Sequence, residues 1–132
     1  MKKIIATLLF ILAFFPYNSF AGEVAYTCKV LHVYTLNDDG SLGASPFQKD
    51  YIGSKFSVSR IDGQIVGEVV TTILAKSTFV KHKGNKRWSF RAMADFETSF
   101  QLIDVQEFKR GKQKPFIASS MGGAGIVTGM CE

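Results

Sequence analysis

Two cysteines, two histidines and one tryptophan are all that the 132 residues supply of these three types. That scarcity leaves little material for metal or redox chemistry. Cys28 and Cys131 stand near opposite ends of the sequence, so the close C-x-x-C spacing of a redox pair is missing. A zinc site needs three or four ligands, yet no H-x-x-x-H or paired Cys-His set is present. His82 is also flanked by Lys81 and Lys83, which repel a metal cation. No metal and no cofactor is expected. The hydrolase elbow G-x-S-x-G, the phosphate loop ending in Lys-Ser/Thr and the dinucleotide G-x-G-x-x-G are all absent. The carboxylates Asp95, Glu97, Asp104 and Glu107 suggest no catalytic pair, because the odd offset of Asp104 and Glu107 sends them to opposite faces of a regular strand. The length excludes a multidomain enzyme.

Long apolar runs are also scarce. One occurs, Ile4 to Phe15, preceded by Lys2 and Lys3 and broken by Pro16. Its 12 residues are short for a spanning helix, which needs roughly 20. Ser19-Phe20-Ala21 then offers small residues at the −3 and −1 positions of a signal-peptidase site. Residues 1–21 therefore read as a cleaved signal peptide, and 22–132 as one domain with no transmembrane span. Gly22, rather than a cysteine, follows the cut, which excludes a lipoprotein. The leader carries two of the 16 Lys and Arg and none of the 11 Asp and Glu. The mature 111 residues thus hold 14 cations against 11 anions, a charge of +3. A periplasmic or secreted protein is expected.

Export to an oxidising compartment gives the two cysteines one intramolecular pairing, Cys28 with Cys131. Such a bridge ties the ends of the domain together. In the chain-entropy account, closing a loop of about 100 residues is worth roughly 4–5 kcal/mol.

What the mature sequence has in abundance is period-two alternation punctuated by turn residues. Tyr26, Cys28, Val30, His32 and Tyr34 fall on one face of a first strand. Asn37 to Gly40 makes a turn, and the stretch to Gly53 reads as loop. Lys55 to Arg60 alternates with Phe56 and Val58 inward, and Asp62-Gly63 opens a hairpin to Gln64–Gly67. Glu68 to Leu74, rich in Val, Thr and Ile, reads as a further strand. Thr78–Lys83 pairs with Arg87–Met93 around Gly84-Asn85, and Ser99–Lys109 pairs with Pro115–Ser120 around Arg110-Gly111-Lys112. Ile126 to Thr128 ends the series. Short helical turns fit only Thr71–Ser77 and Met93–Ser99. The fold class is all-β: a small antiparallel meander closed as a barrel, or alternatively a β-sandwich, with the terminal disulfide setting the last strand beside the first.

The strongest surface signal is basic. Lys81, Lys83, Lys86 and Arg87 surround one hairpin tip, with Trp88 and Arg91 just behind it; Lys109, Arg110, Lys112 and Lys114 surround another. At one end of a barrel these eight cations would form an anion-binding patch for a glycan, a lipid headgroup or an acidic protein. Nucleic acid fits less well, since aromatic interleaving is limited to Trp88. The plainer role of such lysines is to keep hairpin edges soluble. Ser119 to Gly125 is Gly-rich and reads as a crossing between the last strands.

The Tyr26-Thr27-Cys28 segment near the mature start, together with Cys131 at the end, is similar to small periplasmic lysozyme inhibitors of the C-type class. The likeness covers the architectural plan and implies a protein-binding inhibitor of a host or envelope hydrolase. That family's Ser-Gly-rich loop leading to a Tyr and then a Lys has no counterpart, because Ser119 to Gly125 contains neither. Lipocalin-like carriers share the barrel plan but bear a G-x-W signature that this sequence lacks. The expected function is that of an exported, non-enzymatic binding or accessory protein, with a hydrolase inhibitor or a carrier of small ligands or anionic glycans as the alternatives. A carrier requires a hollow interior; packing by Phe56, Phe90, Phe100, Phe108 and Phe116 would exclude it.

Overall fold

The computed structural model describes residues 24–120 and 125–132. The leader read over residues 1–21 and the centre of the Gly-rich crossing, residues 121–124, lie outside the described residues. The strands are β1 (Ala25–Leu36), β2 (Leu42–Ala44), β3 (Lys55–Ser59), β4 (Ile65–Gly67), β5 (Ser77–Asn85), β6 (Trp88–Asp95), β7 (Phe100–Val105), β8 (Lys114–Ser120) and β9 (Gly125–Cys131). One helical turn, α1 (Gln48–Tyr51), joins β2 to β3. Every pairing is antiparallel. The order is β4-β3-β1-β9-β8-β7-β6-β5, with β2 added to β1. The single sheet curls into a half-barrel whose path ends on β4 and β5.

Alternation decides what the curl encloses. Cys28 and Val30 on β1, Phe56 and Val58 on β3, Phe90 and Ala92 on β6, and Ile103 and Val105 on β7 point inward. Phe116 and Ala118 on β8, with Val127 and Cys131 on β9, complete the same cluster. Phe56 and Phe116 meet edge-on with ring centroids 5.3 Å apart, and Tyr26 tilts against Phe90 at 5.1 Å. The interior is filled by side chains. Phe100 and Phe108 take no part in it, being 61% and 44% exposed, because Phe100 opens β7 at the rim and Phe108 follows its end.

The bridge between Cys28 and Cys131 is formed and lies across the β1–β9 ladder. Thr27 and Glu132 exchange backbone hydrogen bonds of 2.8 and 2.9 Å. The next pair, Cys28 and Cys131, is therefore of the non-hydrogen-bonded type, in which side chains stand closest. Their Cα atoms are 4.0 Å apart.

Three readings of the sequence are corrected. A bulge between Val30 and His32 shifts the register of β1. The extra residue moves the buried phase from Val30 to Val33, so His32 is exposed and stacks on Tyr34, centroids 6.1 Å apart, on the outer face. Glu68–Leu74 is not a strand: the Thr72 N–H returns to the Ile65 carbonyl at 3.0 Å, leaving Ile73 and Leu74 exposed. The helical turn lies at Gln48–Tyr51, inside the stretch read as loop, and not at Thr71–Ser77 or Met93–Ser99.

Candidate functional site

Strict antiparallel order sorts the connections to two ends. The β3–β4, β5–β6 and β7–β8 turns fall at one end, along with the start of β1 and the finish of β9. The β1–β2 and β6–β7 turns fall at the other. Both basic hairpins are therefore at the same end, and a Cβ on Gly84 would stand 3.0 Å from Glu107 Cγ. Lys83, Lys86 and Arg87 surround the first tip; Lys109, Arg110, Lys112 and Lys114 surround the second. Lys81 lies at a bulge between Val80 and His82. The Lys114 ammonium donates to the Lys109 carbonyl at 2.6 Å, which closes the second loop. The opposite end carries Asp38, Asp39, Asp95 and Glu97, with Lys76 beside Asp95. The basic end also holds Asp62, Glu107 and Glu132, but its cations outnumber them, so the two ends differ in the sign of their net charge.

One polar cluster anchors the basic end. The Tyr26 hydroxyl donates to Glu107 Oε1, and Arg60 Nη2 stands 3.4 Å from the same oxygen. The Arg60 guanidinium also lies over the Tyr26 ring, 4.7 Å from its centroid. Burial, then the hydrogen bond to Glu107, pushes the Tyr26 phenol well above its ordinary value. Tyr26 is 3% exposed, and its hydroxyl is engaged with Glu107. This cluster joins β1, β3 and the β7–β8 connection.

Two surface pockets flank the β5–β6 turn. One, of about 390 Å³, is lined by Arg60, Ile61, Lys83 and Gly84. The other, of about 400 Å³, is lined by His82, Trp88, Ser89 and Arg91. Each is within the size range of small-molecule sites. Asn85 Oδ1 accepts from the Arg87 and Trp88 N–H groups at 2.8 and 3.0 Å, which fixes the turn that presents Trp88. Trp88 itself is 67% exposed. Arg91 Nε donates to Asp104 Oδ2 at 2.6 Å, while Asp104 Oδ1 is buried without a partner. A third depression of about 380 Å³ beside the disulfide brings Lys29 and Lys55 near Glu132.

Sequence reading found the two basic turns but not Arg60, Tyr26 or Glu107 as members of the same end. Arg60 had one usable signal: it stands two residues before Asp62-Gly63, so it had to lie where β3 leaves the sheet. Asp104 and Glu107 are separated as expected, the first against Arg91 and the second against Arg60. Among the described residues no three His, Cys, Asp or Glu side chains converge. Comparison of the chain with protein families, with curated proteins and with solved structures finds no match.

Proposed function

We propose that the protein is an exported, non-enzymatic binding protein of the bacterial envelope whose basic end holds an anionic polysaccharide. The observation that carries this reading is the placement of both basic hairpins and Arg60 at one end of the sheet, with Asp38, Asp39, Asp95 and Glu97 at the other. Such a separation orients the molecule in the field of a polyanion and raises its rate of encounter. An array spread over two loops suits a polymer of repeated charges better than one small anion. Trp88, which opens β6, and Phe108, in the β7–β8 connection, are exposed and offer apolar faces to sugar rings. The filled interior favours a ligand held outside the sheet over one carried within it. The Cys28–Cys131 bridge is compatible with an extracellular or periplasmic setting, and no helix among the described residues is long and apolar enough to cross a membrane.

The test is retention of the mature protein on heparin and on polygalacturonate, against a neutral polysaccharide of similar length. Retention on both polyanions is expected. It should be abolished by Lys83→Glu, Lys86→Glu, Lys112→Glu and Lys114→Glu together, with no greater fall in melting temperature than Lys114→Gln alone produces through loss of its contact with the Lys109 carbonyl. Equal retention of the reversed variant would leave those lysines only a solubility role and overturn the reading. So would a saturable complex with an envelope hydrolase, or with phosphatidylglycerol vesicles, in the absence of polysaccharide retention.

A further inference from the structure

The pocket lined by His82, Trp88, Ser89 and Arg91 has features that the general charge of the basic end does not require. We infer that it is a subsite for one acidic hexopyranose unit, with the Trp88 indole against the sugar face and the Arg91 guanidinium on the sugar's carboxylate. This rests on the polysaccharide reading above and gives it a chemical address.

The argument begins with Arg91. Its Nε is committed to Asp104 Oδ2 at 2.6 Å, and that contact fixes the plane of the guanidinium. A guanidinium held by Nε keeps its two terminal nitrogens as a fork, which matches the two oxygens of a carboxylate. Arg91 is about half exposed, whereas Asp104 is largely covered, so the carboxylate lies beneath and the cation faces the solvent. Asp104 is thus a positioning residue. Its second oxygen, Oδ1, is buried and unpartnered, which leaves the Arg91 contact as the side chain's hydrogen bond.

Trp88 supplies the second element. Its indole, 67% exposed at the start of β6, offers a flat face on which a pyranose can stack while the hydroxyl groups stay hydrated. The Asn85 side chain, accepting from two successive N–H groups, limits how far the Trp88 backbone can move, so little order has to be created on binding. His82 stands opposite Arg91 in the β5–β6 register and adds a donor or acceptor at the rim. A pocket of about 400 Å³ is large enough for one hexose unit. The neighbouring units of a polymer then run toward the cations of the two tips.

The chain's one tryptophan makes this directly measurable, because its fluorescence reports on the pocket and the turn beside it. Mature protein is titrated with a short galacturonate oligomer, with a neutral glucose oligomer of the same length, and with inorganic phosphate. A saturable emission shift is expected with the galacturonate oligomer only. Arg91→Gln should weaken that binding about tenfold or more, the effect of losing a charge-assisted pair of hydrogen bonds. Arg91→Lys, which keeps the charge but not the fork, should recover only part of it. Asp104→Asn should weaken binding while leaving long-polymer retention on heparin unchanged. The Lys112→Glu, Lys114→Glu variant should lose long-polymer retention yet bind the short oligomer normally. An unmoved Trp88 emission, equal response to the neutral oligomer, or undiminished oligomer binding by Arg91→Gln overturns the subsite. If those failures occur while polygalacturonate retention persists, the subsite fails alone; if retention also fails, the polysaccharide reading falls with it.

Discussion

The Tyr26 hydroxyl donates to Glu107 Oε1 across 81 positions of sequence, and the Arg60 guanidinium covers the phenol ring while reaching the same oxygen. One carboxylate thereby holds the entry of β1, the exit of β3 and the β7–β8 connection at the basic end. It also places the Glu107 charge beneath the cations instead of among them. Burial first, and the Glu107 hydrogen bond second, raise the Tyr26 pKa above its unfolded value of about 10. A raised pKa in the folded state means that the folded form keeps its proton where the unfolded form has lost it. This contribution is complete below about pH 10 and is lost as pH rises through the folded value. Urea midpoints should therefore fall steeply above about pH 10 in the wild type and less steeply in Tyr26→Phe. Parallel slopes in that window would show that the phenol is not held as described.

The disulfide lends itself to a second expectation. It joins residues 103 positions apart, yet these are direct neighbours in the β1–β9 ladder, so native hydrogen bonds already hold the strands together. Its main effect falls on the unfolded chain. Replacing both residues, Cys28→Ala with Cys131→Ala, should cost about 2–5 kcal/mol by urea unfolding. Thiol titration of the unfolded, unreduced protein should find no reactive sulfhydryl. A loss under about 1 kcal/mol would place the stabilisation elsewhere.

The hairpins were legible because their chemistry is local. Asp62-Gly63 puts glycine where the backbone turns left-handed, at φ 77°. Gly84 marked the second hairpin but not its centre: it bends β5 at φ 73°, and the turn falls two residues later than expected, at Lys86-Arg87 between the paired Asn85 and Trp88. The disulfide was legible from counting. The phase of β1 was not, because a bulge adds one residue and the sequence on either side alternates equally well. His32 and Tyr34 fit the inward face on paper, whereas Val33 occupies it in the fold. Glu68–Leu74 failed for another reason: β-branched residues favour a strand only where a neighbouring strand exists to pair with, and here β4 ends at Gly67. At the candidate site, the two basic turns stood out as runs of charge. Arg60 did not, being a single cation far from both in sequence, and the Tyr26–Glu107 link depended on the curl of the whole sheet.

The same bulge carries a third prediction. Gly129 pairs with Val30 at the point where β1 shifts register. A Cβ there would overlap the Lys29 carbonyl oxygen and stand 2.8 Å from Phe116 Cε1. The first contact is backbone and cannot yield without opening the ladder beside the disulfide. Gly129→Ala should therefore destabilise the fold by about 1–3 kcal/mol or more, as overpacking of a filled core does. Gly40→Ala is the comparison: its Cβ meets nothing, but its φ of 83° still imposes backbone strain. A smaller loss at Gly129 than at Gly40 would mean that β1 moves freely away from β9.

Salt dependence separates an organised basic end from a merely cationic protein. A polyanion with closely spaced charges holds condensed counterions, and each protein cation that replaces one releases it. The logarithm of the affinity for heparin should therefore fall linearly with the logarithm of salt concentration. Removing Lys83, Lys86, Lys112 or Lys114 singly, as Lys→Gln, should lower that slope by about one unit each. Lys76 supplies the control, because it precedes β5 at the acidic end and donates its N–H to the Asp95 carbonyl at 2.7 Å. Lys76→Gln changes the net charge by the same amount but takes no cation from the basic end. Its slope should match the wild type. Equal changes at Lys76 and Lys112 would mean that net charge, and not its placement by the sheet, governs the binding.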